Sequence, residues 1–544
     1  MTAGSLGTPD EPAGEGSSPR GTIARAGLIV TGLFLLSRVF GWVRVSVLAA
    51  VFGAGGALDP FYAAFRIPDL IFQLVAAGAL SSALIPIVAS LLATDSRTRA
   101  WRVVSTVTNL MLIALLVLAA VFEVAAPAIV PLITPGFSPA QLAETVELTR
   151  IMLLSPILLG LGAVATSVLN AQGRFAASAL APVVYNIGII GGAVFLAPAL
   201  GVDGLAIGVV AGSLGHLAIQ LRPLVRCGFR YTPEVDTRDP QARQALLLMA
   251  PRALGLGVNQ VTFVIVTSLA SALGAGAITA FNFAFTLLQI PIGVIGVPLG
   301  VVVFPSLARE HATGNGGYVS LLARSNRLLL FVMIPITGLA IVLRRQIVTI
   351  LFDYGRFNVR DTDLIATTLA FLMLGVAAHS ALAVLARAFY ARQDTRTPVA
   401  AAILAVAVNS SLAVLLAGPF GLAGIASSFT VAAWIEAAAL LFILRRREPT
   451  LNLLSVGRLL LEAAVATTIA SGVAQVVLSF VERLVGAGPG KVAMLGETVL
   501  VGAAFGLVYV GLAFALRIPE LATIVDTLMG ILRRPPASSP QPRP

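Results

Sequence analysis

Residues 37–86 read SRVFGWVRVSVLAAVFGAGGALDPFYAAFRIPDLIFQLVAAGALSSALIP. The stretch is apolar enough to lie in a bilayer, yet it carries Arg38, Arg44, Asp59, Arg66 and Asp69 and is broken by Gly and Pro. Charges inside a membrane segment are expensive and face a bundle interior or a watery cavity. Irregular backbone at that depth is tolerated where protein or such a cavity surrounds it. A working site is therefore expected here first.

The surrounding chain has the same solvent. Of 544 residues 58% are hydrophobic and 11% charged, and the mean hydropathy is +0.95. A soluble domain carries roughly 25% charged residues, so an all-α polytopic membrane protein is expected. The net charge is +11. The positive residues sit in short loops between apolar segments, which is a topology signal and not a nucleic-acid surface. The single cysteine, Cys227, excludes an intramolecular disulfide. Three scattered histidines make no metal site. There is no P-loop, no Cys/His cluster and no nucleophile elbow, so neither an enzyme nor a cofactor is expected. Whether a coupling ion is used is left open by the sequence.

Taking about 20 apolar residues as the minimum for a span, fourteen are expected. They lie near 26–52, 60–93, 103–134, 148–171, 177–200, 203–224, 247–273, 276–305, 325–343, 363–391, 397–417, 421–444, 458–481 and 493–517. Even-numbered connections hold the arginines: Arg97, Arg99 and Arg102, then Arg174, then Arg222 to Arg243, then Arg309 and Arg324, then Arg392 and Arg396, then Arg445 to Arg447. Five of the seven odd connections hold none, which places the even loops and both termini in the cytoplasm. The exceptions are the loop with Arg483 and Lys491 and the stretch 343–361, read as an external interfacial hairpin.

The chain also repeats itself. NAQGRFAASALAPVVYN (170–186) is echoed by YARQDTRTPVAAAILAVAVN (390–409), and ALIPIVASLLA (83–93) by VVVFPSLARE (301–310). The offset is about 217–220 residues, or six spans. Six is even, so the repeats run parallel, as in two-lobed alternating-access transporters. The expected division is a disordered cytoplasmic tail at 1–22, one lobe at 23–230, a second at 231–450, two extra spans at 451–520 and a second disordered tail at 521–544.

Arg38 should lie about 18 Å into the first span, too deep to reach either surface easily. Arg44, Arg66 and Asp69 should share a shallower level, where an ion-paired cluster is one reading. The segment offers more bases than acids, and an excess of buried guanidinium suits an anion such as phosphate. Arg252, Asn259, Gln260 and Asn282 are further candidates for the space between the lobes.

SRVFGWVR, FGAGGALDPFYAAFRIPDL and GALSSALIP together resemble the opening of the MurJ (MviN) lipid II flippases, of the multidrug/oligosaccharidyl-lipid/polysaccharide exporter superfamily. GVIGVPLGVVVFPSLAR (293–309), LFDYGRF (351–357) and FYARQDTRTPV (389–399) continue the likeness. The resemblance implies transfer of an undecaprenyl-pyrophosphate-linked disaccharide–pentapeptide between leaflets of the bacterial plasma membrane. It implies two lobes around a cationic cavity, with the last two spans forming a groove for the lipid tail. Membrane lipids and cell-wall synthesis enzymes are the implied partners. Arg38 and Arg44 match the family's cavity arginines, and Asp59 its aspartate after the first turn. Departures are also present: Val45 replaces an acid, and Phe72-Gln73-Leu74-Val75-Ala76-Ala77 replaces a charged run. Phe285-Thr286 replaces an Asp-Arg pair, and Ala383 a lysine. The expected substrate site is thus Arg38, Arg44, Asp59, Arg66, Asp69, Gln73, Arg252, Asn259, Asn282 and Thr286. The lost charges keep two other readings open: an exporter of another lipid-linked glycan or solute, and a non-transporting cell-wall scaffold.

Overall fold

A computed structural model describes residues 19–75, 79–94, 97–314, 316–486 and 490–532. Among them there is no strand. The first helix, α1 (Pro19–Phe52), ends at Gly53, whose φ of +74° breaks the helix. The expected second span holds α2 (Asp59–Ala64), α3 (Arg66–Val75) and α4 (Ala79–Ala93), with residues 76–78 outside the described residues. Then come α5 (Arg97–Ile133), α6 (Pro139–Met152), α7 (Leu154–Ala171), α8 (Phe175–Gly191), α9 (Ala197–Leu200) and α10 (Val202–Arg226). The second half opens with α11 (Pro240–Ser271), α12 (Ala277–Pro291) and α13 (Val297–Thr313). It continues with α14 (Gly317–Val342), α15 (Arg344–Phe352), α16 (Val359–Met373), α17 (Val376–Ala391) and α18 (Arg396–Arg447). The chain closes with α19 (Leu453–Val485), α20 (Lys491–Ala515) and α21 (Pro519–Leu532).

Ten helices among the described residues are long and apolar enough to cross a membrane, or eleven with the bent pair α16–α17. That measure does not confirm the expected fourteen. α18 is two helices fused across Gly421, and residues 76–78, inside the second expected span, lie outside the described residues. The seventh expected span falls on α11. The 44° break between α16 and α17 frees carbonyls at membrane depth. Thr430 Oγ1 donates to Phe371 O at 2.7 Å and Trp434 Nε1 to Leu374 O at 2.9 Å, so α18 satisfies them.

The repeat is visible in backbone detail at an offset of 220 residues. Gly201 (φ 60°, ψ −136°) and Gly421 (φ 58°, ψ −137°) make the same left-handed kink. Only glycine takes that conformation cheaply. The equivalent of Gly421 is therefore Gly201, not Gly204 as the restart motif suggests. Gly173 and Gln393 share a positive φ, and the capping boxes Ser138–Gln141 and Asn358–Asp361 open α6 and α16.

Three apolar cores follow from this plan. One belongs to the first half and includes Ile67, Trp101, Val107 and Val168. One joins the second half to the last helices through Leu330, Phe389, Ala466 and Tyr509. The third bridges the halves through Leu48, Phe61, Phe281, Phe283, Phe352 and Leu369. The stretch 343–361 forms α15 and a turn rather than a span, as expected.

Two tail expectations change. Residues 19–22 belong to α1, and residues 1–18 lie outside the described residues. Residues 521–532 are helical, because Ile518, Leu521 and Ile524 pack on the second core and Glu520 pairs with Arg327 at 2.5 Å. Residues 533–544 lie outside the described residues.

Candidate functional site

The halves are clasped at the end where α1 turns into α2. Asp59 is 1% exposed, and its carboxylate accepts from Gly276 N at 2.6 Å, Thr279 N at 2.9 Å and Thr279 Oγ1 at 2.6 Å. These donors are the free N–H groups at the start of α12, which attract an anion. Asp361 answers from the second half: its Oδ2 accepts from Ala54 N at 3.1 Å. Arg356 N donates to Ala50 O at 2.9 Å beside it. Asp59 thus serves the clasp and does not line a substrate site.

One step inward, Arg66 crosses between the halves. Its Nε donates to Thr267 Oγ1 at 2.9 Å, its Nη2 to Asn282 Oδ1 at 2.8 Å, and its guanidinium lies 5.2 Å from the Phe263 ring centre. Asp69 accepts from Gln260 Nε2 at 2.7 Å and, at the 3.5 Å limit, from Gln73. The ion-paired Arg44–Asp69–Arg66 cluster is not formed; neutral partners from α11 and α12 take both charges instead. Thr286 donates to Asn282 O at 2.8 Å, holding that residue's turn of α12.

At Arg38 and Arg44 the pattern reverses. Arg38 is exposed and Arg44 half-buried. Neither makes an ion pair among the described residues. Arg38 reaches the other half at Gly293, in the widened turn Ile292–Gly296 between α12 and α13. A Cβ at Gly293 would sit 2.2 Å from Arg38 Nη1, so a larger residue there would displace the guanidinium. Such widened turns recur at functional sites. Arg44 lies within electrostatic reach of the Tyr62 and Tyr185 hydroxyls. Arg252 and Asn259 lie on α11, but their side chains fall outside the described ones.

The departures have packing explanations. Val45 is 2% exposed in the core that bridges the halves. Phe285 packs against Phe263, Phe281 and Phe429, with centroids 5.1, 6.1 and 5.6 Å away, and His379 stacks on Phe429 at 4.7 Å. An aromatic cluster therefore occupies the level where charges were expected. Sequence reasoning missed Thr267, Phe263, Gly293 and Asp361; only Gly293, which opens the 293–309 motif, offered a signal. On the far side, a groove lined by Ile334, Ile341, Leu374, Trp434, Leu460 and Ala464 runs between α14, α18 and α19.

Two parallel-repeat halves, with arginines of the first helix that have no acidic partner among the described residues, have the architecture of a two-lobed membrane transporter. An inward-facing multidrug-resistance MATE transporter of the MOP superfamily shares the fold, with TM-score 0.60 and 15% identity over 77% of this chain and 94% of its own. A lipid II flippase MurJ solved in an inward closed conformation matches with TM-score 0.75 and 22% identity, over 90% of this chain and 99% of its own. The sequence model described as lipid II flippase MurJ matches residues 48–489. A probable lipid II flippase MurJ from Rhizobium tropici is 33% identical over 493 residues, covering 88% of this chain and 92% of the relative. The chain belongs to the MurJ family. These relatives favour neither the exporter nor the scaffold reading.

Proposed function

We propose that the chain moves lipid II, a polyprenyl-pyrophosphate-linked peptidoglycan precursor, from the inner to the outer leaflet by alternating access. The observation that carries this is Arg38 with Arg44: two guanidinium groups within one span, with no acidic partner among the described residues. Unpaired charge at that depth is costly unless a ligand uses it, and guanidinium forks match phosphate oxygens. Family membership supplies the substrate class. The α14–α18–α19 groove supports a resting place for the polyprenyl tail outside the halves.

In this reading 23–230 and 231–450 are the rocking lobes, 451–520 holds the tail, and fourteen spans cross the bacterial plasma membrane. The arginine-rich loops put both termini in the cytoplasm, so the clasp faces outward. The protein works by binding and motion and performs no bond chemistry. Enzymes that build the cell wall from the externalised precursor are its functional partners.

The full chain in proteoliposomes, given labelled lipid II or the same glycan on a polyprenyl monophosphate, tests this. Headgroup transfer of lipid II, with little transfer of the monophosphate form, is expected. Equal transfer of both, or none of lipid II, would overturn the proposal.

A further inference from the structure

Seven residues beyond Gly293, Gly300 seats a second guanidinium. A Cβ at Gly300 would come within 2.7 Å of Arg387 Nη1 and 2.8 Å of the Ala383 carbonyl oxygen. Arg387 stands on α17, one turn before its end at Ala391. That end is aqueous, because the loop beyond it carries the Arg447–Asp394 and Arg392–Glu448 ion pairs. A guanidinium about 6 Å from such a boundary ordinarily snorkels toward it. Arg387 points the other way: Nη1 donates to Ala383 O at 2.6 Å, back along α17 toward the membrane interior. Its neighbours Arg392 and Arg447 each hold a carboxylate, whereas Arg387 has no acidic partner among the described residues. His379, Ala383 and Arg387 lie four residues apart on one half-buried stripe, while Val384, Leu385, Ala388 and Phe389 are buried. The arginine is thus on a half-buried face of α17, where α13 approaches it at Gly300.

We propose that Arg387 is a further phosphate-contacting residue, placed at the mouth of the route that leads to Arg38 and Arg44. The inference rests on the pyrophosphate reading above. The two glycine seats are about 10 Å apart along α12–α13, and Arg38 and Arg44 about 9 Å apart along α1, at 1.5 Å per residue. Three unpaired cations then form rungs of similar spacing. A pyrophosphate passing between them meets the next guanidinium as it leaves the last, and never stands uncompensated in apolar surroundings. The rungs come from both halves, so the anion itself draws the halves together behind it.

The test uses the full chain in proteoliposomes with labelled lipid II, comparing wild type, Arg387→Ala, Arg387→Lys, Arg38→Ala, and Arg387→Ala combined with Ala383→Lys. Arg387→Ala should raise the half-saturating lipid II concentration about tenfold, the worth of one charge-assisted hydrogen bond. Melting temperature should not change. Arg387→Lys should lose less, and Ala383→Lys should restore most of the loss by returning a cation to the level Arg387 reaches. If Arg387→Ala matches wild type while Arg38→Ala is inactive, the inference fails and the pyrophosphate reading stands. If both variants transport normally, the pyrophosphate reading itself fails. A lowered melting temperature without rescue by Ala383→Lys would assign Arg387 to helix packing and overturn the proposal.

Discussion

At the clasped end Asp59 and Asp361 each accept backbone N–H groups from the opposite half, whereas about 12 Å and about 21 Å back along α1 Arg44 and Arg38 stand without an acidic partner among the described residues. Both regions put ionisable groups between the halves. In the first, every charge is matched by donors at a helix start or a turn, so the group stabilises the contact that it makes. In the second, no acidic side chain among the described residues matches the charge, which leaves the guanidinium groups open to an anion. Charge that holds the halves together is paired inside the protein; the charge proposed to serve transport is not. Arg66 lies between the two regimes, with neutral partners on the far side.

The largest expected effect is at the unpaired level. Arg44→Ala should abolish headgroup transfer in proteoliposomes while membrane abundance stays normal, because no buried acid is left behind. Normal transfer by that variant would erase the distinction drawn here. A smaller effect is expected at the clasp. Asp59→Asn keeps one acceptor oxygen for three donors, so the halves should separate there more often. A Cβ at Gly56 would lie 2.9 Å from the Ala275 Cβ, so cysteines placed at 56 and 275, with Cys227→Ser, report the contact by cross-linking. The yield should fall several-fold with Asp59→Asn and less with Asp361→Asn, which makes a single bond across. Equal yields in all three backgrounds would show that apolar packing alone closes this end.

The smallest effect belongs to a paired charge away from both regions. Burial pushes the Asp394 carboxyl up, but the Thr397 hydroxyl and N–H and the Arg447 guanidinium outweigh it and hold the group below the usual carboxylate range. A depressed carboxylate stabilises the fold fully above its ordinary pKa of about 3.9, and that contribution is lost as pH falls toward the lower folded value. Melting temperature should therefore drop slightly more between pH 6 and pH 3 in the wild type than in Asp394→Asn. Identical pH curves would show that this loop pair adds nothing.

Much of this was legible in the chain itself. The membrane-spanning helical class followed from apolar length, the non-spanning stretch at 343–361 from the alternation of the later loops, and the repeat, which the structure fixes at 220 residues, from paired motifs. Arg38 and Arg44 stood out because the segment holds more bases than acids. The aromatic cluster around Phe285 was not legible, since Phe263, Phe281, Phe285 and Phe429 come from three helices. The break in the second half is repaired by Thr430 and Trp434, more than fifty residues away, and no local pattern announces that.

The sequence by itself determined that residues 37–86 enter the membrane with more arginine than acid, because hydropathy and charge are properties of each segment alone. Only the tertiary structure decided which charges are spent. Arg66 and Asp69 are taken by Thr267, Asn282 and Gln260, some two hundred residues away, and Asp59 by the start of α12. Arg38 and Arg387 rest on Gly293 and Gly300, where a missing Cβ leaves room for a guanidinium and no acid to hold it. Pairing depends on which helices meet and at what depth, and that is set by the packing of the two halves.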